Sequence, residues 1–117
     1  MSKNELAKKF PLELMCLSLL EERDRYGYEM LQEFKKRTGG KAELNLTTLY
    51  MALKRLEDRG YITSYYSDGE SPRERARLYY RLSPSAAAYK EKLLSDYQNM
   101  VSAVEEFFRY RSEEGEA

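Results

Sequence analysis

At Gly60 the hydrophobic period of this chain changes, and that single change limits the folds open to it. Upstream, in LNLTTLYMALKRLEDRG, the residues Leu46, Leu49, Leu53 and Leu56 recur at the i, i+3, i+4 spacing of a buried helical stripe. Asn45 is placed to cap this helix by accepting a hydrogen bond from the Thr48 amide, and Gly60 stands where a left-handed C-terminal cap ends one. A helix is therefore expected from about Leu46 to Arg59, with Thr47, Met51, Lys54 and Arg55 turned outward. Downstream of Gly60 the residues alternate: Tyr61, Thr63 and Tyr65 fall on one side and Ile62, Ser64 and Tyr66 on the other, which is the period of a strand.

The stretch SDGESP then supplies turn residues, and alternation resumes in SPRERARLYYRL. Ala76, Leu78, Tyr80 and Leu82 share one face; Arg73, Arg75, Arg77, Tyr79 and Arg81 share the other. Two strands about a polar tip make a hairpin, with Tyr80 in the core and the arginines outside. Before the capped helix, apolar spacing predicts one helix from about Leu6 to Glu22, with Pro11 near its start, and a second from about Arg25 to Thr38, stopped by Gly39-Gly40. After the hairpin, Ser83-Pro84 reads as a helix start. The helix that follows reaches about Tyr110 and carries Leu93, Tyr97, Met100, Val104 and Phe107 at steps of four and three, with Leu94, Val101 and Phe108 every seven beside them.

The expected fold class is thus mainly α with a small β-hairpin: a winged helix-turn-helix over residues 1–83, a long C-terminal dimerisation helix over 84–111, and a polar tail over 112–117. In this architecture the third helix enters the DNA major groove and the hairpin lies along the flanking backbone. The arginine face of the second strand would then meet phosphate, and Lys54, Arg55 and the wing arginines would converge on one edge. A solvated strand face is the plainer reading of those arginines.

Composition narrows the alternatives. With no histidine and one cysteine, Cys16, the chain cannot assemble a structural zinc site and lacks the usual base for a serine or cysteine nucleophile. No glycine-rich phosphate loop is present. An enzyme is not expected, nor a metal or other cofactor. Cys16 lies in LMCLSLL, where a buried thiol is the natural state. No apolar run is long enough to span a bilayer and MSKNELAKKF lacks the apolar core of a signal peptide, so no membrane partner and a cytoplasmic location are expected. The formal net charge is zero, but residues 1–40 carry 8 basic and 7 acidic groups, residues 41–82 carry 8 and 6, and residues 83–117 carry 4 and 7. Positive charge leans toward the capped helix and hairpin, and acid collects in the last helix.

The runs YGYEMLQEF, LNLTTLYMALKRLEDRGYI and RARLYYRLS resemble the PadR family of bacterial transcriptional regulators, whose usual forms are YGYEI, LSxxTLYxxLxRLExxGxI and RxRKYYRLT. The likeness covers roughly Leu12 to Ser83, in order, and the single long C-terminal helix is similar to the short-tailed subfamily. It implies a homodimeric repressor on an inverted-repeat operator in double-stranded DNA. Carried over residue by residue, DNA contacts would come from Thr47, Thr48, Tyr50 and Lys54 on the third helix, Tyr28 on the second, and Arg75 and Arg77 on the wing, with Arg73 on the same strand face. Tyr50 could equally pack against the helix-turn-helix core. Two departures stand out: the family's glycine-rich wing tip is here ESPRER, and its lysine before the paired tyrosines is Leu78.

The last helix presents a seam too long for a small winged domain to cover, so Leu93, Tyr97, Met100, Val101, Val104, Phe107 and Phe108 are expected at a homodimer interface. Some short-tailed relatives bind flat aromatic molecules between tryptophans of this helix. This chain has no tryptophan. Tyr97 takes the corresponding place, and with Leu14, Ser18 and Val101 it would line a smaller pocket for an aromatic effector, or else fill the seam outright. A second function stays open beside the repressor: a winged-helix module for protein partners without sequence-specific DNA binding, favoured by zero net charge and by eleven tyrosines.

Overall fold

The computed structural model describes residues 1–68 and 75–114 of the chain. Eight elements follow in order: α1 (Lys3–Ala7), α2 (Leu12–Glu22), β1 (Arg25–Tyr26), α3 (Gly27–Arg37), α4 (Leu46–Asp58), β2 (Ile62–Ser67), β3 (Arg77–Leu82) and α5 (Ala86–Glu114).

The first expected helix is two helices. Pro11, at φ −74° and ψ 75°, occupies the N-cap position of α2. It has no amide to continue a ladder from α1, and it disfavours helical geometry at Phe10. Ser2 caps α1 by accepting from the Glu5 amide at 3.1 Å. α2 buries Leu14, Cys16, Leu17, Leu19 and Leu20, almost its full circumference, because α4, α5 and β3 all pack on it.

The second expected helix begins two residues late. Arg25 and Tyr26 form a short strand antiparallel to β3, pairing with Tyr80 and Tyr79, so the sheet has three strands in the order β1-β3-β2. The hairpin register runs from Ile62 opposite Leu82 to Ser67 opposite Arg77. Leu78, Tyr80 and Leu82 face the core, and Tyr80 is buried. Burial pushes the Tyr80 phenol up to about 12. Residues 69–74, and with them the turn tip and Arg73, lie outside the described residues.

α4 forms as its caps dictate. Asn45 Oδ1 accepts from the Thr48 amide at 2.8 Å, and Gly60 ends the segment at φ 81°. Leu49, Leu53 and Leu56 are fully buried, joined by Ala52. Leu46 leaves the expected stripe and is 41% exposed, because the first helical residue reaches beyond the edge of α2 and α3. Side chains on the opposite face, Thr47, Met51, Lys54 and Arg55, are exposed.

α5 starts two residues past Pro84, after a turn in which the Ala86 amide donates to the Ser83 carbonyl and Ser85 Oγ donates to the Gly60 carbonyl. Tyr89 stacks on Tyr61 with centroids 4.2 Å apart and planes 4° apart, and its hydroxyl donates to Glu13. These contacts tie α5 to the root of the hairpin and to α2. Leu93 reaches the edge of the core. Beyond it the helix leaves the body: at 1.5 Å per residue it is roughly 43 Å long, which accounts for molecular extents of 71 × 32 × 20 Å.

Candidate nucleic-acid interface

The outer face of α4 carries Thr47, Tyr50 and Lys54 on one line, each a turn apart, with Met51 beside them. Tyr50 is 41% exposed, and Lys54 makes only an i, i+4 contact with Asp58 at 3.4 Å. Such an exposed pair is worth at most about 1 kcal/mol and yields readily to another anion. Thr48 is half-buried on the far flank, its amide held by Asn45. Arg55 shares that flank: with Thr48 it borders a cleft closed by Leu93, Tyr97 and Met100 of α5. The expected convergence of Lys54, Arg55 and the wing therefore excludes Arg55, which turns toward α5. Tyr28 is 60% exposed in the first turn of α3, one residue past the point where Tyr50 touches Gly27.

The outer face of the sheet is a ladder of aromatic rings and guanidinium groups. Arg77 lies over the Tyr26 ring at 4.6 Å, Tyr26 meets Tyr79 edge-on at 5.4 Å, Tyr79 stacks near Tyr65 at 5.8 Å, and Arg81 lies over Tyr65 at 4.8 Å. Asp24 closes the ladder, accepting from Arg81 Nε and from the Tyr65 hydroxyl. The hydrogen bond to Asp24 raises both the Tyr65 phenol and the Arg81 guanidinium above their ordinary pKa values. Arg81 is thus already paired, whereas Arg75 is exposed just ahead of β3. Arg75 and Arg77 are exposed, and Arg81 anchors the wing to the α2–α3 junction.

Sequence reasoning missed Arg25. It shares the inner face of the sheet with Tyr80 and is 4% exposed. Its Nε donates to the Leu19 carbonyl at 3.2 Å and its Nη2 to Glu22 at 2.7 Å. Arg37 holds the same Glu22 through two 2.7 Å hydrogen bonds and Glu33 through two more at 2.9 and 3.1 Å. The Arg37 hydrogen bonds, reinforced by Arg25, lower the Glu22 carboxyl to about 2. This network fixes the end of α2 against α3, the helix that precedes α4. The spacings Glu22–Arg25 and Glu33–Arg37 were visible in sequence, but helices carry many such pairs on their surfaces.

On α5, Val101 is half-buried, while Tyr97, Met100, Val104, Phe107 and Phe108 are exposed, Phe107 by 64%. Two clefts meet at Pro11, Leu14 and Tyr97: the one beside Arg55, of about 560 Å³, and another of about 430 Å³ that adds Ser18, Phe34 and Leu94. Leu14, Ser18 and Tyr97 share the second cleft, and Val101 is not part of its wall. The Ser18 hydroxyl donates to the Leu14 carbonyl at 2.8 Å. Burial pushes the Cys16 thiol up to about 12 and leaves it inert at neutral pH. Among the described residues no group of side chains could hold a metal ion, and no helix is long and apolar enough to cross a membrane.

Comparison with known proteins fits this geometry. A transcriptional regulator from Clostridium thermocellum is 34% identical and superposes with a TM-score of 0.73 over 81% of this chain and 90% of its own. A PadR family transcription regulator from Clostridium difficile is 30% identical, with a TM-score of 0.70 over 85% of this chain and 99% of its own. Bacillus subtilis PadR, solved in complex with operator DNA, is 25% identical, with a TM-score of 0.61 over 71% of this chain and 46% of its own. The model of the transcriptional regulator PadR-like family matches residues 16–90. A capped helix α4, a three-stranded sheet and a family match across both place this chain in the PadR-like family of transcriptional regulators, to which it belongs.

Proposed function

We propose that the protein is a sequence-specific DNA-binding repressor that acts in the cytoplasm as a homodimer on an inverted-repeat operator. One observation carries this reading: α4 buries one face and presents Thr47, Tyr50, Met51 and Lys54 exposed on the other. A helix held this way is what a major groove accepts. The solved complex of Bacillus subtilis PadR with operator DNA supports the same assignment. Thr47 and Lys54 read base edges, with Tyr50 beside them; Thr48 sits at the helix end nearest the backbone. Tyr28, Arg75 and Arg77 meet phosphate, joined by Arg73 from the wing tip. The apolar line from Tyr97 to Phe108 packs against a second copy, and the two-fold axis sets the reading helices about one helical turn, roughly 34 Å, apart. The cleft of Leu14, Ser18 and Tyr97 takes a small planar aromatic effector, with Val101 nearby across the dimer seam.

The test is retention of sheared genomic DNA by the purified protein, followed by anisotropy titrations on the retained site. Arg75→Ala should weaken binding alike on all sequences and reduce the salt slope by about one, whereas Thr47→Ala and Lys54→Ala should change sequence preference. Equal loss from all three with unchanged preference would remove α4 as the reader. A folded dimer with negligible affinity even at low salt would move the assignment to the protein-partner module.

A further inference from the structure

Gly39, Gly40 and Gly60 have positive φ angles of 62°, 74° and 81°, and nothing stands where their Cβ atoms would be. Backbone conformation explains all three. Gly27 is the reverse case. It is the first residue of α3 and its φ is not positive, so any residue could adopt its backbone. What glycine supplies at this position is space. A Cβ on Gly27 would lie 2.8 Å from Tyr50 Oη, closer than real Cβ contacts allow, and 3.0 Å from Tyr50 Cε1 and Cζ, at the limit of such contacts. The Tyr50 ring therefore lies directly on the Gly27 backbone, across the start of α3. YGYEMLQEF and LNLTTLYMALKRLEDRGYI, two of the stretches that carry the family resemblance, meet at this contact.

We infer that Gly27 is a positioning residue for the DNA-reading face: its bare Cα is the seat that holds the Tyr50 ring in one orientation beside Thr47 and Lys54. The inference rests on the DNA-binding reading above. A half-exposed tyrosine on a helix has several staggered χ1 wells open to it. Contact along one side with backbone, which cannot move aside, selects one of them before DNA arrives and so lowers the ordering cost of the complex. A methyl group at position 27 displaces the ring rather than the helix, because the atoms it meets belong to the outer part of a side chain that is 41% exposed.

The experiment is a cycle of wild type, Gly27→Ala, Tyr50→Leu and the double variant, each titrated on the duplex most strongly retained from sheared genomic DNA. The titrations are run at a temperature where circular dichroism shows every variant folded. Gly27→Ala should cost about tenfold in affinity, or about 1.4 kcal/mol, when Tyr50 is present and nothing further when Tyr50→Leu is already in place. A role confined to fold stability would leave affinity of the folded protein unchanged. 3-Fluorotyrosine at position 50 gives a second reading: its fluorine resonance should move on Gly27→Ala without DNA. Should Gly27→Ala alone fail to fold, the double variant should fold, since the methyl then has room. Equal losses in both backgrounds, an unmoved resonance or an unfolded double variant would overturn the inference. If wild type itself retained no DNA site, the DNA-binding reading would fail and the positioning role with it, while the fluorine shift would still report the seat.

Discussion

α4 and the outer half of α5 read alike in sequence, both with apolar residues at alternating steps of three and four, yet they end in opposite states. In α4, Leu49, Ala52, Leu53 and Leu56 are buried by α2, α3 and β2 of the same chain. In α5, Met100, Val104, Phe107 and Phe108 stand exposed on a helix that has left the body of the molecule. An amphipathic stripe favours a partner for its helix, because burying each large apolar side chain stabilises by about 1.5–3 kcal/mol. Whether that partner belongs to the same chain depends on where the helix axis runs.

The contrast can be broken most sharply from the buried side. Leu53→Ala should cost about 2–5 kcal/mol, a large share of the 5–15 kcal/mol or so typical of a folded domain. Urea denaturation should show the loss at every protein concentration, since Leu53 is buried within one protomer. A cost under about 1 kcal/mol would mean the site collapses around the void and α4 is less firmly held than its burial suggests.

The exposed side should respond differently. Replacing Phe107 and Phe108 together by serine removes two of the three aromatic rings of the α5 seam. It should convert a dimer to a monomer in light scattering at micromolar concentration while the helical and strand signals of the winged domain persist. Wild-type melting should rise with protein concentration, as association with a partner requires, and the double variant should lose that dependence. A wild-type monomer would sink the dimer reading and leave the seam for another partner.

The smallest effect concerns the ionic network between α2 and α3. The Glu22 carboxyl is held at about 2 against an ordinary value of 4.5. A carboxyl lowered on folding contributes stability that is fully present above 4.5 and lost as pH falls from there toward 2. Arg37→Met, which removes the main cause of that shift, should flatten this part of the acid limb in pH-dependent melting. An unchanged acid limb would show that Glu22 is held by Arg25 instead.

Legibility followed the range of the interactions. Helix α4, its Asn45 cap, the Gly60 stop and the alternation of the wing all arise from neighbours within four residues, and each formed where the sequence placed it. Pro11 was visible as a residue near the start of one expected helix, whereas it stands between two, at the N-cap of α2. β1 was not visible, since two residues carry no period and their strand geometry comes from pairing with β3, more than fifty positions away. For the same reason Arg77 and Arg81 are exposed as the alternation placed them while the fate of Arg81 was not legible: its partner is Asp24, which no local spacing connects to it. Arg55 pointed outward as expected, yet toward α5, because direction around a helix acquires meaning only when the neighbouring helices are in place.

By itself the sequence determined helix α4, the two strands of the hairpin and the long α5, the covered and uncovered faces of α4 and the wing, and the family, because periods, caps and motifs are properties of short stretches of chain. The tertiary structure alone decided that Arg25 is buried, that Arg81 is an anchor, and that Tyr50 rests on Gly27. Each of these depends on the distance between two elements, and that distance is set by packing of the whole core around α2.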